Sequence, residues 1–236
     1  MGWAIEALFC TLKQEVVDMS EPSKRYREFL GFRLDEGQLT PDNCVLIDEI
    51  ERREFYICSE ICSEVTDYIV PWIERINQMD GDKPAEEREP IILFISSPGG
   101  SVFDGFAIID AIERSKTPIW TVNAGYCFSM AFHIFITGHE RFSSKTAIFL
   151  HHDGSDLLAD SSLKIQDYAE FNREYRGKII TPNVLSHTRI TVEELRQNER
   201  REWYMFADEA KEKGVFDHYL SKELSLKEIV AADKST

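Results

Sequence analysis

Three clusters of residues in this chain have the types and spacing that acyl-transfer chemistry needs. Ser129, in GYCFSM, lies between an apolar strand over 118–125 and an apolar helix over 129–138. A serine at the first turn of a buried helix has two uses. It can cap the helix, or it can act as a nucleophile whose oxyanion is held by the first free amide of that helix. His151 and His152 follow the solid apolar run AIFL. The carboxyl end of a buried parallel strand is where such sheets place their sites, and a neutral imidazole near pH 7 suits a general base. Pro98-Gly99-Gly100 stands where another buried strand meets a helix. Paired glycines let the backbone approach a substrate and take positive φ, and amides exposed there can bind an oxyanion. A plain tight turn is the commoner use of such a pair. No Gly-Lys-Ser/Thr follows, so this is not a phosphate loop.

The elements that must position these residues are legible from periodicity. Residues 44–50 and 54–58 look like short strands, and 61–79 reads as a helix with Ile61, Val65, Ile69, Ile73 and Ile76 on one stripe. Pro71 inside it predicts a kink or a break. A charged loop, 80–90, leads to an apolar strand over 91–96, expected to be buried on both faces. A helix follows at 106–115, and a further buried strand at 147–152. Strands alternating with helices mean βαβ units and a largely parallel sheet in an α/β fold. Residues 156–178 form an amphipathic helix candidate. Thr191 with Glu194 makes a capping box for a helix ending near 197, and 207–217 is a short helix ended by Gly214.

Taken together, ISSPGGSVFDGFAIIDAIERSKTPIWTVNAGYCFSM and the strand-end histidines resemble the ClpP family, the proteolytic subunit of ATP-dependent Clp serine proteases. Ala207, Glu209, Ala210, Gly214 and Asp217 resemble a further signature of that family. The resemblance runs from about 44 to 220. It implies a ClpP/crotonase-like spiral of ββα units with a protruding handle helix. It divides the chain into an extension over 1–43, a peptidase domain over 44–220 with the handle region at 153–185, and a tail over 221–236.

The resemblance implies a serine endopeptidase. Ser129 would be the nucleophile, His151 the base and Asn198 the third member of a Ser-His-Asn triad, with the amides of Gly99 and Met130 as the oxyanion hole. Gly100, Phe128 and His152 would contact substrate. His151 takes the catalytic position if one residue is missing from the 138–147 loop, which puts His152 where the family usually has Gln. Asn198 stands where the family usually has Asp. Glu199 and Glu202 are nearby alternatives, although the next residue on a helix points roughly 100° away. Phe128 stands where small residues are usual, and would shrink a specificity pocket or fill core. Cys127 is expected to be an inert buried thiol.

The family also implies stacked heptameric rings joined through the handle, whose apolar side would be Leu157, Leu158, Ile165, Tyr168 and Phe171. It implies a peptide or unfolded-protein substrate and an AAA+ unfoldase partner, although residues 1–40 do not match the family's axial loops. Three other readings stay open: a ring scaffold that has lost activity, motivated by Asn198 and Phe128; a capsid-processing protease of phage type, with the same core; and a crotonase-type acyl-CoA enzyme, for which no well-placed carboxylate is found over 91–152.

Composition narrows the field. Lys and Arg total 27 against 42 Asp and Glu, a net charge of −15, which disfavours nucleic acid as a partner. Five cysteines at irregular spacing, Cys10, Cys44, Cys58, Cys62 and Cys127, make neither a disulfide framework nor a metal site. No apolar run reaches the ~20 residues of a membrane span, and the N-terminus has no secretory or transit pattern. The expectation is a cytoplasmic enzyme with no cofactor, no metal and no membrane contact.

Overall fold

The computed structural model of the chain describes residues 48–155 and 159–233. The chain divides into two units, Met1–Arg52 and Arg53–Thr236. Of the first, a helical stretch over 48–52 is described, where the end of the expected strand over 44–50 falls; 44–47 lie outside the described residues. The extension 1–43 and the handle positions Leu157 and Leu158 lie outside the described residues.

The second unit is built on one sheet. It carries β1 (Glu54–Ile57), β2 (Ile91–Ser97), β3 (Ile119–Phe128), β4 (Glu140–Ser143) and β7 (His218–Tyr219), all parallel in that order. β5 (Ile148–His151) leaves this path. It pairs in parallel with the second half of β3 and is met on its far side by the antiparallel β6 (Trp203–Phe206). β3 can serve two neighbours because it is ten residues long. Trp120–Asn123 pair with β4, and Tyr126–Phe128 with β5. The split falls at a register shift, where Ile95 faces Asn123 but Ser97 faces Cys127. Asn123 fills the irregularity, accepting from the Gly125 amide at 2.9 Å and donating to the Ile148 carbonyl at 3.3 Å.

Helices α1 (Ser63–Asp80), α2 (Val102–Arg114) and α3 (Met130–Ile136) follow β1, β2 and β3. α1 passes Pro71 without a break. The proline removes one bond to the Asp67 carbonyl, on an exposed residue that water can satisfy, while Ile69, Trp72, Ile73 and Ile76 hold the buried face. β2 is not uniformly buried: Ile91, Leu93 and Ile95 are fully buried, and Ile92 and Phe94 are partly so. Those two pack on a second cluster of Trp120, Val122, Phe142, Ile229 and Val230. The last two belong to α8 (Leu226–Asp233), so the segment expected to be a tail covers the sheet's other face.

After β5 come α4 (Ser162–Tyr175), a π-helical turn over Arg176–Ile180 and α5 (Thr181–His187). α6 (Val192–Asn198) has the expected capping box between Thr191 and Glu194, and α7 (Ala207–Glu212) ends before Gly214. Among the described residues no helix is long and apolar enough to cross a membrane.

Candidate active site

The chain leaves β3 at Phe128 and enters α3 at Met130, so Ser129 makes the turn alone. Its backbone sits at φ 54, ψ −123. This region is essentially reserved for glycine and costs roughly 1–3 kcal/mol for other residues. The backbone is pinned by the Ser129 amide donating to the Leu150 carbonyl at 2.9 Å, and by the Phe132 amide donating to the Ser129 carbonyl at 3.0 Å. The hydroxyl does not cap α3. It lies 2.7 Å from Nε2 of His152.

This is where the structure departs from the expected base. His151 and His152 are adjacent, and side chains at the end of a strand alternate between faces. His152 turns to Ser129, while His151 turns toward α3, against Phe132 and His133 at centroid distances of 5.6 and 5.4 Å. The bond expected from His151 is therefore made by His152. Nδ1 of His151 is buried and has no hydrogen-bond partner among the described residues. Burial drives its imidazole down to about 3, reinforced by His133, His152 and Arg176.

The third residue also differs. Nδ1 of His152 lies 3.1 Å from Glu202 Oε1. The antiparallel register explains the meeting: His151 pairs with Trp203, so the residue just after β5 faces the residue just before β6. A turn with Arg200 at φ 68, closed by the Arg201 amide on the Asn198 carbonyl at 3.1 Å, delivers Glu202 to that place. Asn198 stays on α6, where its side-chain amide donates to the Glu194 carbonyl at 2.9 Å. It lines the cavity beside Ser129 and bonds to neither histidine. The chain Ser129–His152–Glu202 fixes a tautomer: a hydroxyl donating to Nε2 requires the proton on Nδ1, which then donates to the carboxylate.

Gly99 and Met130, whose amides are expected to form an oxyanion hole, lie against each other. Gly99 is at φ 91, and a Cβ there would come within 2.6 Å of the Phe128 carbonyl and 2.8 Å of the Met130 amide, so only glycine fits. Met130 is the first residue of α3, a position whose amide has no intrahelical acceptor. The Gly99 amide donates to Ser97 Oγ at a long 3.2 Å, and that hydroxyl donates to the Ser59 carbonyl at 2.6 Å. Gly100 bridges Ile61 on the neighbouring segment, with the Ile61 amide on the Gly99 carbonyl at 2.7 Å. Phe128 neither lines the cavity nor fills the core. It packs at the surface against Tyr126 and Tyr204, with centroids at 4.8 and 5.8 Å. Cys127 is fully buried, and burial pushes its thiol up, away from reactivity.

Two cavities meet at Ser129 and His152. One, of about 340 Å3, is lined by Val102, Phe106, Met130, His133, His151 and Leu195 among others. The other, of about 590 Å3, follows Pro98, Gly99 and Gly100 and is bounded by Tyr168, Asn172 and Tyr175 of α4. Arg176 stands at both, held by the Asp153 carbonyl at 2.5 Å and its carboxylate at 3.1 Å.

A family model described as Clp protease matches residues 46–223. The chain is similar to ATP-dependent Clp protease proteolytic subunit 2 of Treponema pallidum, 24% identical over 75% of this chain and 86% of the relative. It is similar to ATP-dependent Clp protease proteolytic subunit 1 of Prochlorococcus marinus, 28% identical over 73% of this chain and 86% of the relative. Among solved structures it matches a mutant ClpP subunit from Listeria monocytogenes with a TM-score of 0.65 at 21% identity, over 76% of this chain and 98% of that one. The ClpP fold expected from the sequence is thus the fold observed.

Proposed function

This chain belongs to the Clp protease family, and from that premise we propose that it hydrolyses peptide bonds with Ser129 as nucleophile, His152 as general base and Glu202 as the carboxylate that holds the imidazole. The observation that carries this reading is the hydrogen-bonded chain from the Ser129 hydroxyl through both ring nitrogens of His152 to Glu202, at 2.7 and 3.1 Å. These distances are within the reach proton transfer needs.

Ser129 Oγ attacks the scissile carbonyl as its proton passes to His152 Nε2. The oxyanion is received by the Met130 amide, with Gly99 beside it once that amide loosens from Ser97. Collapse of the tetrahedral species breaks the C–N bond, and the leaving amine takes the proton from Nε2. Water then repeats the sequence on the acyl-serine and regenerates the hydroxyl. Glu202 balances the imidazolium throughout. A carboxylate in that place speaks against one of the two motives for an inactive scaffold, Asn198 as the third member; the other, Phe128, packs against Tyr126 and Tyr204 rather than into the cavity. This proposal puts His152 and Glu202 in place of His151 and Asn198 and retains Ser129, Gly99 and Met130.

The substrate class is peptide or unfolded protein. Clp-family membership supports a ring of identical subunits, and the names of the curated relatives support an ATP-driven partner that feeds it. The test uses the full chain. A fluorophosphonate probe should label Ser129, an unstructured peptide should be cleaved, and Ser129→Ala should abolish both while light scattering reports the same ring mass. An assembled wild-type ring that neither takes the probe nor cleaves peptide overturns the reading in favour of a scaffold.

A further inference from the structure

The cavity on the α3 side of Ser129 has a polar floor that peptide hydrolysis itself does not call for. His133 and His151 both line it, with their rings 5.4 Å apart, amid the apolar walls of Val102, Phe106, Met130, Val192 and Leu195. Neither ring takes part in the hydrogen-bonded chain at Ser129. Among the described residues no group of three His, Cys, Asp or Glu side chains stands close enough to hold a metal ion.

The bonding around His133 fixes which of its nitrogens carries the proton. Thr137 Oγ1 donates to the His133 carbonyl at 2.9 Å, so it accepts from Asn183 Nδ2 at 3.1 Å. This turns Asn183 Oδ1 to His133 Nδ1 at 2.9 Å. Nδ1 must then donate, which leaves a lone pair on Nε2. His151 adds the opposite feature: its Nδ1 is closed to solvent and has no partner among the described residues, which costs least as a bare lone pair and so puts the N–H on Nε2, the ring nitrogen left to face the cavity. Native proteins rarely leave such an atom unsatisfied without a functional reason. Burial holds both rings neutral across the physiological range, His133 falling to about 4 and His151 to about 3.

We infer that this cavity binds the substrate side chain next to the scissile carbonyl, and that His133 and His151 make it select an uncharged hydrogen-bonding group, a carboxamide above all. The inference rests on the hydrolase reading of Ser129. Of the two cavities meeting at the nucleophile, this one is walled by side chains, while the other follows the Pro98–Gly100 backbone and suits the peptide's main chain. A carboxamide carries both complements, an N–H₂ for the lone pair of His133 and an oxygen for an N–H of His151. An aliphatic side chain would fill the same space and leave both rings unbonded. A charged side chain would meet the same desolvation that keeps the two imidazoles neutral. The charged residues at the cavity, Arg176, Arg196, Asp153 and Glu199, are of both signs, and Arg176 is paired with Asp153.

The experiment profiles cleavage by the full-length wild-type assembly on peptides that differ only at this position: Gln, Asn, Leu and Glu. Fluorophosphonate labelling of Ser129 is measured in parallel. We expect kcat/KM for Gln or Asn to exceed that for Leu by about tenfold or more, chiefly through KM. His133→Phe/His151→Leu should reverse the order, read as the ratio of kcat/KM values within the variant so that any change in its overall reactivity cancels. His151→Gln, a smaller perturbation that keeps a polar group, should retain the carboxamide preference. Wild-type preference for Leu with normal labelling overturns the inference and leaves the hydrolase reading standing. A preference for Gln or Asn that survives the double substitution overturns the assignment to these two histidines. Loss of labelling in a folded wild-type ring overturns the hydrolase reading instead.

Discussion

Two regions of this molecule bury polar side chains, and they treat them oppositely. At the end of α1, Asp80 is buried, and its carboxylate accepts from both Arg53 nitrogens and from Thr117, each at 2.8 Å. Asn77 beside it donates to the Ile73 carbonyl and Ser115 and accepts from the Lys116 and Thr117 amides. Burial pushes the Asp80 carboxyl up, but the bonds from Arg53 and Thr117 outweigh it and hold the group below the usual carboxylate range. Beside Ser129 the polar bonding is left open: a serine sits in a glycine conformation, and His133, whose Nδ1 is taken by Asn183, lines the cavity with a lone pair left on Nε2. Closed polar bonding holds a loop to a helix and asks nothing further. Open valences and stored strain belong where another molecule completes them.

The comparison breaks most sharply at Glu202. Its side chain is 54% exposed, so Glu202→Gln should leave unfolding by urea within about 0.5 kcal/mol of wild type. An amide can hold the wrong tautomer of His152 and cannot balance its charge. Turnover of a peptide substrate should fall by about 10²–10⁴, with fluorophosphonate labelling slowed in step. Wild-type turnover in this variant would remove Glu202 from the mechanism. At the other region the outcome inverts. Asp80→Ala removes the carboxylate that Arg53 and Thr117 share, leaves Arg53 its bond to the Glu89 carbonyl, and should destabilise the fold by about 1.5–3 kcal/mol, while the kcat of the molecules that remain folded is unchanged. A drop in kcat without loss of stability would mean that the two regions are coupled.

The sequence is most readable where apolar runs are long. β2, β3, β5 and α3 declare themselves, and with them the strand-to-helix turn that carries Ser129 and the glycines that approach it. The short strands β4, β6 and β7 give no such signal, because two to four residues of mixed polarity carry no period. The silence of β6 has a consequence in the site. Without that strand no register pairs 152 with 202, and Asn198 on a visible helix is the nearest substitute. The choice between His151 and His152 turns on strand parity. Two adjacent histidines look alike in a sequence, and the pairing of β5 with β3 and β6 decides which one faces Ser129. Pro71 misleads in the other direction, since a proline whose lost bond points to water does not break a helix with a well-packed opposite face.

Acid should act on the two regions in separate windows. His133 has its folded value lowered by burial to about 4 from an ordinary 6.5, so between those values the unfolded chain binds more protons than the folded one. Its contribution is complete above about pH 6.5 and is lost as pH falls toward 4, up to roughly 3 kcal/mol. Asp80 is likewise lowered, but it loses its contribution only as pH falls below the ordinary carboxylate range. Urea unfolding from pH 7 to 5 should therefore weaken with acid in the wild type, less steeply in His133→Phe, and least in His133→Phe/His151→Leu, because burial lowers His151 over the same window. An equal slope in all three would place the sensitivity elsewhere.

The smallest effect is expected at Asn198, and it is the one that separates the proposed site from the one expected from the sequence. If the third member of the triad were this amide, Asn198→Ala would cost orders of magnitude in turnover, as loss of the orienting group does elsewhere. In the structure its Nδ2 closes the last turn of α6 on the Glu194 carbonyl, so its removal frees one half-buried carbonyl to water. That predicts about 0.5–1 kcal/mol of stability and a change in kcat of less than about threefold, with KM moving more than kcat because Asn198 lines the cavity. Paired with Glu202→Gln in a double-mutant cycle, the two effects should add, since the residues share no bond. Strong coupling would instead mean that the amide supports the carboxylate, and that the turn through Arg200 transmits strain from α6 to the base.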